Sequence, residues 1–186
     1  MTAPGVSTSA DGNEATSPVT ADVWAEHSIW VQDPQYALAL KGGITAFHIL
    51  PGSANLIGGR GVTVKNLQRN TINSMKFPDA PHSLKMACGE NPKRVYGNRQ
   101  QAPSTRMGNA AGYRKSWIEA KAYLNRLDEY EAKSDEAKEI GYAPQRDLEM
   151  ETLAGVLRGE ILVHNHCYRA EEMATMINIA KEFDYK

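Results

Sequence analysis

The chain has 186 residues, enough for one domain with a sizeable core. Its 21 basic and 22 acidic side chains leave a formal charge of −1, which offers nothing to attract nucleic acid or an anionic membrane. No apolar run approaches the roughly 18 residues of a spanning helix, residues 1–18 lack the basic start and apolar core of a signal peptide, and Cys88 and Cys167 are too few for a disulfide framework. A cytoplasmic setting is therefore expected.

Residues 1–20 read as an irregular segment, with Ser9-Ala10-Asp11-Gly12-Asn13-Glu14 turn-forming. Residues 21–186 read as the folded domain. Asp33-Pro34 opens a helix that stops at Gly42-Gly43. Ile44 to Leu50 is a strand, apolar enough to be covered on both faces. It runs into Pro51-Gly52-Ser53-Ala54-Asn55 and a glycine-rich loop, Gly58-Gly59-Arg60-Gly61. That loop lacks the spacing of a nucleotide cradle. A second strand, Leu84 to Cys88, ends in a turn at Gly89-Glu90-Asn91-Pro92. The longest helix covers about Gly112 to Lys133, with Trp117, Ala120, Tyr123, Leu124 and Leu127 on one stripe. Ser134 to Pro144 is a charged linker, and Asp147 caps a helix that ends near Gly159. Ile161 to His166 reads as a buried apolar strand ending in polar side chains, and a helix from Glu171 to Phe183 follows. Helices alternating with short strands that end in glycine-bearing loops predict a parallel α/β sheet. About three strands are too few to close an eight-stranded barrel and leave open edges.

Several residues are candidates for chemistry. His164 and His166 are two apart on a strand and share a face; they could hold one metal ion or simply hydrogen-bond at a strand end. Asn165 faces the other way. Lys85 lies inside an apolar strand, where an ammonium is costly. It could snorkel, pair with an acid, or carry a carboxyl group on its amine, which would make it an anionic oxygen ligand. Glu90 and Asn91 follow directly, as a ligand, a base and orienting groups or as a plain turn before Pro92. Arg106 and Arg169 could each fork a substrate carboxylate. Cys167 reads as a packed residue and His48 as a satisfied core histidine.

Taken together, the segments Asp11-Gly12-Asn13-Glu14, Gly43-Ile44-Thr45, Leu50 to Gly59, Leu84 to Tyr96, Thr105-Arg106-Met107-Gly108, Arg158 to Ile161 and His166 to Glu172 resemble the imidazolonepropionase-like branch of the metal-dependent amidohydrolase superfamily. The resemblance covers the chain from about Asp11 onward. It implies a partial (β/α)8 TIM-type barrel, roughly the second to fifth βα units, with a metal site at the C-terminal ends of the strands. It implies that His166 is the metal-ligand histidine of the fifth strand and Lys85 the carboxylated lysine of the fourth, with His164 a weaker ligand. The cofactor implied is a divalent metal, zinc by family default, as one or two ions. Metal-activated water then hydrolyses a cyclic or open amide C–N bond of a small molecule. Glu90 is the catalytic candidate in that frame, and Arg169, Tyr168, Arg106 and Asn91 are the substrate-binding ones.

The family pattern also uses a His-x-His on the first strand, a histidine on the sixth and an aspartate on the eighth, and none of these is in the sequence. The expectation is therefore an internal part of an amidohydrolase, inactive alone. Two other readings accompany it. One is half of a split enzyme completed by a complementary barrel chain; the other is an inactive remnant acting as an interaction module, prone to form homo-oligomers through its open edges.

Overall fold

The computed structural model of the protein describes residues 10–186; residues 1–9 of the irregular segment, Ser9 among them, lie outside the described part. In chain order it builds α1 (Gln35–Lys41), β1 (Ala46–Ile49), β2 (Ile57–Lys65), β3 (Ser83–Ala87), α2 (Glu90–Gly97), α3 (Arg106–Glu131), α4 (Asp135–Ile140), α5 (Leu148–Leu157), β4 (Leu162–His166) and α6 (Ala170–Phe183). The strands form one sheet in the order β1-β2-β3-β4. The result is an α/β fold with a curled half-barrel sheet.

Local signals place most helices. The Asp33 carboxylate accepts from the Gln35 N–H at 2.8 Å and starts α1, and Gly43, at φ +84°, follows its end. The Asp147 carboxylate accepts from the N–H groups of Glu149 and Met150, each at 3.0 Å, and starts α5. Helix α3 begins at Arg106, earlier than the expected Gly112, because the Thr105 hydroxyl caps it by accepting from Gly108 N–H at 3.0 Å. The charged linker after it contains a short helix, α4, whose first turn is capped by Ser134.

The sheet departs from the parallel expectation in one strand. β2 is antiparallel to both β1 and β3, whereas β3 and β4 are parallel. The connection over residues 50–56 carries no helix and is shorter than the dozen or so residues a parallel crossover needs, so the chain can only turn back. β2 is also the stretch read as a glycine-rich loop. Its glycines serve close approach: Gly59, at φ +115°, lies against the Val23 carbonyl, and Gly61 lies against Ser83 and Leu50. A bulge between Ile57 and Gly59 accommodates the irregular backbone.

Alternation sorts the sheet into two faces. Leu84 and Met86 of β3 pack with Tyr113, Trp117 and Ala120 of α3, Leu153 and Val156 of α5, and Met176 and Ile179 of α6. Trp117 is fully buried, 4.5 Å between ring centres from Tyr185. A smaller cluster joins Tyr36 of α1 to Val62 and Val64, with Phe47 and Ile49 of β1 against it. The opposite, concave face carries His48, Thr63, Ser83, Lys85, His164 and His166. This corrects two expectations. β1 and β4 are the sheet's edges among the described residues, and neither is covered on both faces: Ala46, His48, Leu162 and His164 are exposed.

Candidate active site

β1, β3 and β4 share one direction, so their C-terminal ends lie together, as the chemistry-bearing ends of α/β sheets do. Three segments meet there: the Pro51–Asn55 loop after β1, the start of α2 after β3, and the Cys167–Arg169 turn after β4.

The register sets Lys85 beside His164 and Ala87 beside His166. Lys85 is only 8% exposed. Its ammonium donates to the Ser53 hydroxyl at 2.5 Å, and none of the ion pairs among the described residues includes it. Burial lowers its pKa below the ordinary lysine range. Nδ1 of His166 lies 2.7 Å from the same Ser53 hydroxyl. Lys85 and His166, from two strands, thus converge on one oxygen supplied by a third segment. The sequence reading passed over Ser53; it sits in an irregular loop where no periodicity marks a side chain's direction.

His164 stands two residues back along the concave face, its ring centre 4.7 Å from that of His48. His48 is hydrogen-bonded as expected, to Thr63 Oγ1 at 2.9 Å and Ser83 Oγ at 2.8 Å, but it is exposed on the concave face and is not a core residue. Partial desolvation of the ring, which is not full burial, and then the nearby His164 lower its pKa.

Glu90 and Asn91 do not form a plain turn: they are the first two residues of α2, and Gly89 makes the corner at φ +68°. Glu90 accepts from Arg106 at 3.2 Å and lies 3.6 Å from the Arg169 guanidinium. Arg106 donates its Nε to Glu172 at 2.6 Å. Glu172 is buried and also accepts from the backbone N–H groups of Tyr168 and Arg169, each at 3.3 Å. Burial raises the Glu172 carboxyl, but the Arg106 and backbone hydrogen bonds outweigh it, and the net pKa is below the ordinary glutamate range. Arg106 is therefore engaged on both sides. Arg169 and Tyr168 are exposed at the mouth, with the Tyr168 hydroxyl 3.4 Å from Asn91 Oδ1. Cys88 and Cys167, too few for a disulfide framework, extend the same register onto the helix-covered face and form one disulfide with Cα atoms 5.1 Å apart.

Lys85 and His166 are two donors aimed at one point, which fits part of a metal site. Among the described residues no group of three or more His, Cys, Asp or Glu side chains could hold an ion. Nor is any helix there long and apolar enough to cross a membrane.

The sheet is a curled half-barrel whose polar side chains gather at the ends of its parallel strands. No protein-family model matches the chain. In sequence it is similar to the amidohydrolase tasK of Hapsidospora irregularis, 34% identical over 197 residues, which cover 98% of this chain and 20% of tasK. In structure it is similar to a crystal structure of an amidohydrolase from Thermotoga maritima MSB8, at 42% identity and a TM-score of 0.85, covering 95% of this chain and 44% of that one. The chain thus spans a fifth of the one relative and less than half of the other. Both relatives are named amidohydrolases, and the likeness supports the amidohydrolase superfamily.

Proposed function

We propose that the chain is the part of a metal-dependent amidohydrolase of the imidazolonepropionase-like branch that supplies Lys85 and His166 to the metal site. The whole enzyme would hydrolyse a cyclic or open amide C–N bond of a small molecule. The observation that carries this reading is the convergence of the Lys85 amine and the His166 imidazole on one point at the C-terminal ends of β3 and β4. A bound divalent ion, zinc by family default although imidazole and carboxylate ligands accept several ions, would supply a Lewis acid and water of lowered pKa.

The chain's own residues have separable tasks. His166 offers an imidazole nitrogen. Lys85, buried and without an acidic partner, is suited to carry a carboxyl group on its amine and so become an oxygen ligand. His164, two residues back and stacked on His48, is the weaker donor. Glu90, between Arg106 and Arg169, holds the Arg169 guanidinium over the mouth, where it and Tyr168 meet an anionic group on the substrate; Asn91 lines the same rim. Arg106 serves them by fixing Glu90 and Glu172.

Both sheet edges are open among the described residues, and this favours a second reading, in which a complementary barrel chain completes the fold. The test of the first is zinc binding to the purified chain, measured by calorimetry alongside His166→Ala and Lys85→Ala. Each variant is expected to weaken binding about tenfold or more. Zinc binding unchanged in both variants would refute the reading.

A further inference from the structure

The loop after β1 is braced far more heavily than a surface turn requires. Gly52 N–H donates to the Gly12 carbonyl at 2.6 Å, and Ala54 N–H donates to the Asn13 side chain at 3.0 Å. A Cβ on Gly52 would run into that same Asn13 side chain. Asn55, 1% exposed, points its amide nitrogen at the Glu14 and Ser17 carbonyls and the Thr20 hydroxyl, at 2.6, 2.8 and 3.0 Å. The N-terminal segment thus holds the loop on both sides of Ser53. Between these anchors the Ser53 hydroxyl reaches Lys85 Nζ at 2.5 Å and His166 Nδ1 at 2.7 Å. A hydroxyl has one donor and two acceptor sites, so one oxygen can serve both partners at once.

From this geometry we infer that Ser53 is the positioning residue of the site. Its hydroxyl fixes the side-chain directions of Lys85 and His166 together, and the Gly12–Thr20 segment fixes Ser53. It acts through those two residues and takes no part in bond making. No other side chain among the described residues hydrogen-bonds Lys85 Nζ or the His166 ring, so removing the hydroxyl leaves both free to turn away. The inference rests on the metal-site reading above for its consequence, but its structural core stands without the ion.

The experiment compares the wild-type chain with Ser53→Ala and Ser53→Thr by two measurements. The first is zinc affinity by calorimetry, where Ser53→Ala is expected to bind about 10- to 100-fold more weakly and Ser53→Thr to regain most of the loss. The second is the ring-nitrogen spectrum of the histidines in zinc-free protein. Ser53→Ala is expected to shift the His166 signals, leave those of the exposed His27 in place, and be corrected by Ser53→Thr. Unchanged His166 signals in Ser53→Ala would overturn the inference whatever zinc does. Whether or not the wild type takes up zinc, the His166 spectrum decides for or against Ser53.

Discussion

Glu172 offers the sharpest test of how this fold holds its strand ends together. The carboxylate is 6% exposed, receives Arg106 Nε at 2.6 Å, and accepts from two backbone N–H groups at the start of α6. Losing a helix-start acceptor costs about 1 kcal/mol, and losing a charged hydrogen bond about 1.5–3 kcal/mol. The cost stays below the roughly 3–5 kcal/mol of a broken buried pair, because Arg106 is 34% exposed and can be rehydrated. Glu172→Ala is therefore expected to lose about 2.5–3 kcal/mol, or roughly 5–12 °C in melting temperature for a chain of this size. Gly89 couples to it: at φ +68°, a Cβ there would strike the Glu172 carboxylate. Gly89→Ala should cost about 3 kcal/mol in the wild type but only about 1–2 kcal/mol, the backbone share, in Glu172→Ala. The assay is chemical denaturation of the four proteins, reading midpoints at constant slope. Strict additivity, or a Glu172→Ala loss under about 0.5 kcal/mol, would refute the reasoning.

Other outcomes follow from the same structure. Because the Glu172 carboxyl is held below the ordinary value of 4.5, its contribution is present above that pH and lost as the pH falls through its lowered pKa; acid should therefore destabilise the wild type more than Glu172→Gln. Glu149 has the opposite sign, its carboxyl pushed up to about 7 by burial and then by Asp22, Asp147 and Glu119. Its contribution is whole below about 4.5 and fades as the pH rises through about 7, so melting temperature should drop between about pH 5 and about pH 8 in the wild type and drop less in Glu149→Gln. Trp117→Ala, which empties a fully buried site, should cost about 3–5 kcal/mol in denaturant melts. Asn55→Ala, which strands the carbonyls of Glu14 and Ser17, should cost about 2–3 kcal/mol in the same assay.

What could be read from the sequence was what short-range physics decides. Asp33 and Asp147 announce helix starts because a capping side chain bonds within three residues of itself, and the α3 and α5 stripes follow from helical spacing. Lys85 stood out because a charge inside an apolar run needs an explanation. β2 was missed because glycine hides the alternation that marks a strand; what the glycines serve, contact with Val23, Ser83 and Leu50, is visible only in three dimensions. The Glu90 segment was taken for a turn because Asn-Pro usually opens one, whereas here Pro92 occupies the first turn of α2 and its missing N–H costs nothing. The pairing of Cys88 with Cys167 follows from a parallel register that no local signal predicts.

Ser53 is the extreme case: its partner His166 lies 113 residues away. No window of sequence contains both, and a serine in a Pro-Gly-Ser-Ala-Asn loop looks like any other turn residue. Yet the structure accounts for why that loop and the Asp11-Gly12-Asn13-Glu14 turn occur in one chain. Gly12 and Asn13 hold the backbone on either side of Ser53, and Glu14 and Ser17 hold Asn55 just beyond it. A loop free to move would let a single hydroxyl choose between Lys85 and His166; a loop locked at both ends makes it serve both. The brace therefore acts on the site through the loop that carries Ser53. Loosening it with Asn13→Ala should accordingly disturb the His166 ring signals in the same direction as Ser53→Ala, by a smaller amount. If Asn13→Ala left them untouched while Ser53→Ala moved them, the loop would be held by its own packing, and the turn would owe its place to stability alone.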